Sequence, residues 1–155
     1  MSQRTAIINS LITHISNSVS APGYRGYRFL HEVNSFPSFY IAFQNESRIH
    51  RGRGTRLGII SFNLRGYCWT DSLDSVEQYM REIETAIQRY APAHLRFVEE
   101  ARVTSVRTDE GVMAPYGIVD MSIEVLYTVD PSFSQFRADS TTITADNNII
   151  KVDAQ

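Results

Sequence analysis

The stretch that most restricts the fold is VDMSIEVLYTV, residues 119–129. Val119, Met121, Ile123, Val125, Tyr127 and Val129 are apolar, while Ser122, Glu124 and Thr128 fall between them. A period of two over this length puts one apolar face on a β-strand and fits no helix. Such a strand needs strand neighbours and a cover for its apolar side. Residues 96–107, with Phe97, Val98, Val103 and Val106 among scattered charges, read as the other arm of a hairpin.

Two segments have the spacing to supply the cover. Ile7, Ile8, Leu11, Ile12, Ile15 and Val19 recur at three and four residues and predict a helix that fades at Asn17-Ser18 and stops by Pro22-Gly23. Leu73, Val76, Met80, Ile83, Ile87 and Tyr90 predict a second helix, opened by N-cap candidates Thr70, Asp71 and Ser72 and ended by Pro92. Between them lie a compact strand, FYIAF at 39–43, and a longer one beginning LGIISF at Leu57. In the longer strand Ile60, Phe62, Leu64 and Cys68 alternate with Ser61, Asn63 and Arg65, which makes Leu57–Trp69 the platform for the second helix. Residues 24–33 read as a short strand or an ordered loop. The order helix, strands, helix, strands predicts an α+β domain, a mainly antiparallel sheet packed against two amphipathic helices.

A chain of 155 residues suits one domain with a sizeable core, placed at 1–130. From Asp130-Pro131 onward the composition turns polar, with a small hairpin signal about Asp146-Asn147-Asn148. Residues 131–155 are therefore expected to form a C-terminal arm that lies on a neighbouring subunit or a partner. The net charge of −2 gives no global attraction to nucleic acid or to an anionic membrane. The single cysteine, Cys68, excludes an internal disulfide, and no run approaches the ~18 apolar residues of a membrane span. A protein made and used in a cytoplasm is expected, without a span of its own.

Catalytic and metal-binding patterns are missing from the sequence. His14, His31, His50 and His94 never fall three or four residues apart, and there is no Cys-x-x-Cys pair, phosphate-binding glycine loop or Gly-x-Ser-x-Gly elbow. Asp109 and Glu110, beside Gly111, read as the solvated tip of a hairpin, where nothing would shift them toward acid–base work. No enzyme, cofactor or metal is predicted. Of fifteen basic residues fourteen are arginine, and four of these gather in NESRIHRGRGTR, residues 45–56. Arg48, Arg51, Arg53 and Arg56, with His50, surround Gly52 and Gly54, which predicts an exposed, mobile loop whose arginines have no core role. It suits either a nucleic-acid backbone or an acidic protein surface.

The layout also resembles a family. The amphipathic first helix, FYIAF, and a long strand leading into the capped DSLDS helix start at 71–75 are followed by V-x-x-V-x-T-D-E-G and P-Y-G-x-x-x-x-x-I-x-V-x-Y, here Val103 to Tyr127. Over residues 3–129 this is similar to the tail terminator proteins of long-tailed bacteriophages. The resemblance implies a small α+β subunit of a homo-hexameric ring, stacked on the last ring of tail tube protein at the head-proximal end of the tail. Such a ring stops tube polymerisation and offers the attachment surface to neck and head-completion proteins, while DNA only passes through its channel. It implies no catalysis and a location in the virion, assembled in the host cytoplasm. In that setting the acidic turn at Asp109 and Glu110 and the basic residues Arg48, Arg51, Arg53 and Arg56 become candidate subunit or partner contacts. A neck or head–tail completion protein and a small nucleic-acid-binding module stay open as alternatives.

Overall fold

The computed structural model describes residues 2–26, 32–51, 55–70, 72–108 and 116–130. Helix α1 (Gln3–Val19) is capped by the Ser2 hydroxyl, which accepts from the Thr5 N–H at 3.1 Å, and ends at Ser20 in the left-handed region, φ 55°. Strand β1 (Gly23–Arg25) follows, then the long strands β2 (Ser38–Arg51) and β3 (Thr55–Trp69). Helix α2 (Leu73–Gln88) starts at the Ser72 cap and leads to β4 (Val98–Thr108) and β5 (Tyr116–Thr128).

The five strands form one sheet in the order β1-β2-β3-β5-β4. All pairings are antiparallel except β1 with β2, so the short 23–25 segment is a parallel edge strand. Both helices lie on one face of the sheet. Ile7, Leu11 and Ile15 of α1 and Val76, Ile83 and Ile87 of α2 meet Phe39, Ile41, Ile60, Phe62, Leu64, Met121, Ile123 and Val125 in a single core. The expected α+β architecture and its alternating faces are therefore present.

Close approach of α2 to the sheet relies on glycine. A Cβ on Gly117 would sit 2.6 Å from Val76 and 2.8 Å from the Cys68 sulfur, so only a bare backbone lets the helix settle there. Burial pushes the Cys68 thiol up from its ordinary value, as befits a small core residue. Tyr79, on the buried stripe of α2, sends its hydroxyl to the Ser38 carbonyl at 3.0 Å and so ties the helix to the start of β2.

Two expectations need correction. Leu73, placed on the apolar stripe of the second helix, is 61% exposed, and its core position is taken by Val76 and Tyr79 one turn further on. The strand at 39–43 continues to Arg51 and pairs with β3 down to Arg51↔Thr55. Arg48, and with it most of 45–56, is therefore strand and not loop. The sequence NESRIHR is polar, but its partner strand is fixed on its other side by β5, and that pairing outweighs local preference. Residues 52–54, 109–115 and 131–155 lie outside the described residues, and with them Arg53, Asp109, Glu110 and the expected C-terminal arm.

Candidate assembly interface

The distal half of β2 owes its facing to one extra residue. The register steps from Phe43↔Phe62 to Asn45↔Ser61, leaving Gln44 as a bulge. Without it Asn45, Ser47 and Ile49 would turn toward the helices. With it Glu46, Arg48 and His50 do, opposite Ile60, Gly58 and Arg56.

Glu46 is thereby delivered to a nearly closed site where its side chain is only 6% exposed. Arg4, at the start of α1, holds one carboxylate oxygen at 2.9 Å and lies over the Phe43 ring at 4.6 Å. Arg48 and the Tyr127 hydroxyl both hold the other oxygen. Two cations and a hydroxyl satisfy a carboxylate that would be costly to bury alone. Tyr127 lies flat against the backbone of β3, since a Cβ on Gly58 would be 2.4 Å from its ring. Burial raises the Tyr127 hydroxyl above its ordinary value, and the Arg48 and Arg4 charges oppose that rise.

The candidate contact residues therefore separate. Arg48 is bound into its own subunit. Arg56 is exposed on β3, with its carbonyl accepting from the Val129 N–H at 3.0 Å. The backbone of Arg51 ends β2, opposite Thr55, at the tip of this arm. The strand ends flanking Asp109 and Glu110 are Thr108 and Tyr116, which pair with Val119 and Trp69. These two strand ends lie at the opposite end of the sheet from the Arg51↔Thr55 pair. Along the fifteen residues of β3 the separation is ~46 Å at ~3.3 Å per residue. The described strand ends thus put Arg51 and Arg56 at one end of the sheet and Thr108 and Tyr116 at the other.

Sequence reasoning missed the apolar surface at that second end. Trp69 is 58% exposed and packs edge-on against Phe36 at 5.6 Å, and Leu73, four residues further on, is exposed as well. The only tryptophan of the chain, at the last position of a strand and just before a helix cap, was the available signal. On the face away from the helices, Tyr24 stacks on Tyr40 at 5.2 Å, and Tyr67 meets Tyr40 edge-on. The centre of that face is polar: Arg65 grips Asp120 through two hydrogen bonds, 2.9 and 3.2 Å, and Arg102 holds Glu124 at 2.9 Å. Among the described residues no three His, Cys, Asp or Glu side chains converge as metal ligands would. No helix among them is long and apolar enough to cross a membrane.

No protein-family model matches the chain, and no curated protein sequence does. Among solved structures it is similar to a chain of the virion of a native gene transfer agent particle, with TM-score 0.50 and 7% identity over 83% of this chain and 96% of that one. It is less similar to the bacteriophage SPP1 gp17 protein, with TM-score 0.38 and 14% identity over 84% and 91% of the two chains. An Akkermansia muciniphila protein solved without its transmembrane region gives TM-score 0.44 at 11% identity, this chain spanning 57% of it. The first of these shows a shared fold along nearly the whole of a virion component.

Proposed function

We propose that this chain is a structural virion protein that assembles head-to-tail into a hexameric ring at the head-proximal end of a phage tail tube. There it stops tube polymerisation and offers the attachment surface for the head and neck. The observation that carries the reading is the ~46 Å separation, along β3, of the arm bearing Arg56 from the end where Trp69 and Leu73 are exposed. Unlike patches at opposite ends of a rigid sheet suit a heterologous contact, in which each subunit presents one end to the other end of the next. The shared fold with a virion chain and the family resemblance of residues 3–129 support the same reading. The nucleic-acid alternative is weakened by Arg48, which is neutralised by Glu46 inside the subunit.

The test uses the triple variant Arg51→Ser, Arg53→Ser, Arg56→Ser, leaving Arg48 in place. It should fold as the parent does but fail to cap tubes, giving overlong or headless tails in electron micrographs. Normal tails would remove the arm from the interface. Loss of DNA binding alone would favour the nucleic-acid module, and a reconstruction placing the chain among neck proteins would favour a head–tail completion role. A dimer or pentamer in assembled particles would contradict the hexamer.

A further inference from the structure

The helix layer carries an apolar knob at one end and a hollow at the other. Leu73, the first residue of α2, is exposed shortly after Trp69, the last residue of β3. Beside it Asp74 is exposed and forms no ion pair with a described residue, whereas Glu77, one turn on, is held by Arg81 at 2.9 Å. The knob is thus a bare leucine with a free carboxylate at its edge.

The hollow lies between α1 and the α2–β4 connection. It is a mainly apolar groove of about 570 Å³, lined by the buried Ala6, Tyr90 and Leu95. The Leu95 carbonyl accepts from the Val98 N–H at 3.1 Å, and Val98 pairs with Tyr127, itself opposite Gly58. The groove therefore sits toward the Arg56 end of the sheet. No carboxylate lines it among the described residues. Arg89 and His94, which do line it, are exposed, and neither is in an ion pair with a described residue. Between knob and groove runs the length of α2, 16 residues or ~24 Å.

We infer that the groove takes the first turn of α2 from a second copy of this chain, with Leu73 against Ala6, Tyr90 and Leu95, and Asp74 against Arg89. The inference rests on the head-to-tail reading above and names its contact on the helix side. One helical turn, ~10–12 Å across and ~5.4 Å high, fills ~400–600 Å³, which matches the groove. Both parts of the surface are complementary: an exposed leucine leaves water for an apolar lining, and a free carboxylate meets a free guanidinium. Within one copy the two cannot meet. His14 touches the Ala86 carbonyl at 2.7 Å beside the groove, and Leu73 lies ~20 Å back from Ala86 along α2. The contact therefore joins unlike surfaces of two copies and can repeat from each copy to the next.

Two chains with one added cysteine each test it, because Cys68 is buried and gives little background. Thr13→Cys puts a thiol in the groove, and Leu73→Cys puts one on the knob. On mild oxidation of concentrated protein, the mixture should form a crosslinked dimer about tenfold faster than either chain alone. Asp74→Arg in the Leu73→Cys chain should slow this about tenfold, and so should Arg89→Asp in the Thr13→Cys chain, since each sets like charges together. Both reversals in one mixture should restore the rate. A mixture no faster than its separate chains overturns the inference, as does a reversal that is not rescued. Faster crosslinking within one chain type would mean a two-fold contact and overturns it too. The ring is read separately. Normally capped tails without the crosslink keep the ring and remove this contact. With both cysteines in one chain, a crosslinked ladder that ends elsewhere than at the hexamer keeps the contact and contradicts the ring.

Discussion

At the scale of single residues, Arg48 shows how neighbours in space reassign a side chain. In sequence it is one of four arginines around two glycines, and nothing separates it from Arg51, Arg53 or Arg56. In the fold it faces the helices and meets a carboxylate that is 6% exposed, while Arg56 stays in solvent. Arg48→Ser is therefore expected to lower stability by about 1–2 kcal/mol in urea unfolding, since a hydrogen bond to a buried charge is lost. Arg56→Ser should change it by no more than ~0.5 kcal/mol. Equal effects would show that the Glu46 site adds nothing to stability. The bulge that separates the two could not be read from NESRIHR, because Gln44 carries no signal of its own and register is set by β3.

Elements were the most legible level. Both helices, the long central strand and the β4–β5 hairpin follow from apolar spacing in the chain, because each buries one face against a single core. What escaped was the distal half of β2, whose inward face is polar and whose partner lies in another strand. Strand β3 is built around that arm through Gly58, against which Tyr127 lies. Gly58→Ala is expected to cost about 1–3 kcal/mol, because the new methyl group meets a ring held by Glu46 on one side and Phe97 on the other. The cost should shrink in a Tyr127→Ala background, and a double-mutant cycle in urea would measure the difference. A cost unchanged by Tyr127→Ala would mean that the ring is not what the methyl group strikes.

For the whole molecule, the titrating core sets an alkaline pH response. Burial raises the hydroxyls of Tyr67, Tyr79, Tyr90 and Tyr127 and the thiol of Cys68 above their ordinary values. A group whose folded value is raised gives its full contribution below its unfolded value and loses it as pH rises, because the unfolded chain releases its proton first. Stability should therefore begin to fall near pH ~8.5 through Cys68 and steepen above pH ~10 through the tyrosines. Urea midpoints between pH 7 and 11 would show it, and Cys68→Ala with Tyr79→Phe should flatten the curve. A curve of unchanged slope in that variant would mean that other groups carry the alkaline loss. The sequence predicted a core of this size, but which tyrosines it encloses depends on how α2 lies across the sheet. The candidate site was legible as charge and not as geometry: which end of the sheet Arg51 and Arg56 occupy follows only from the pairing register of β2 with β3.

The bulge at Gln44 gives the basic arm a parity. Beyond it, facing is fixed by whether the count of residues to the next pairing is odd or even, and only the present count sends Glu46 inward and Ile49 outward. The arm can thus change length in even steps, two residues on each strand, and keep its wiring to α1. A single added or lost residue would exchange its wet and dry sides along the whole stretch to Arg51.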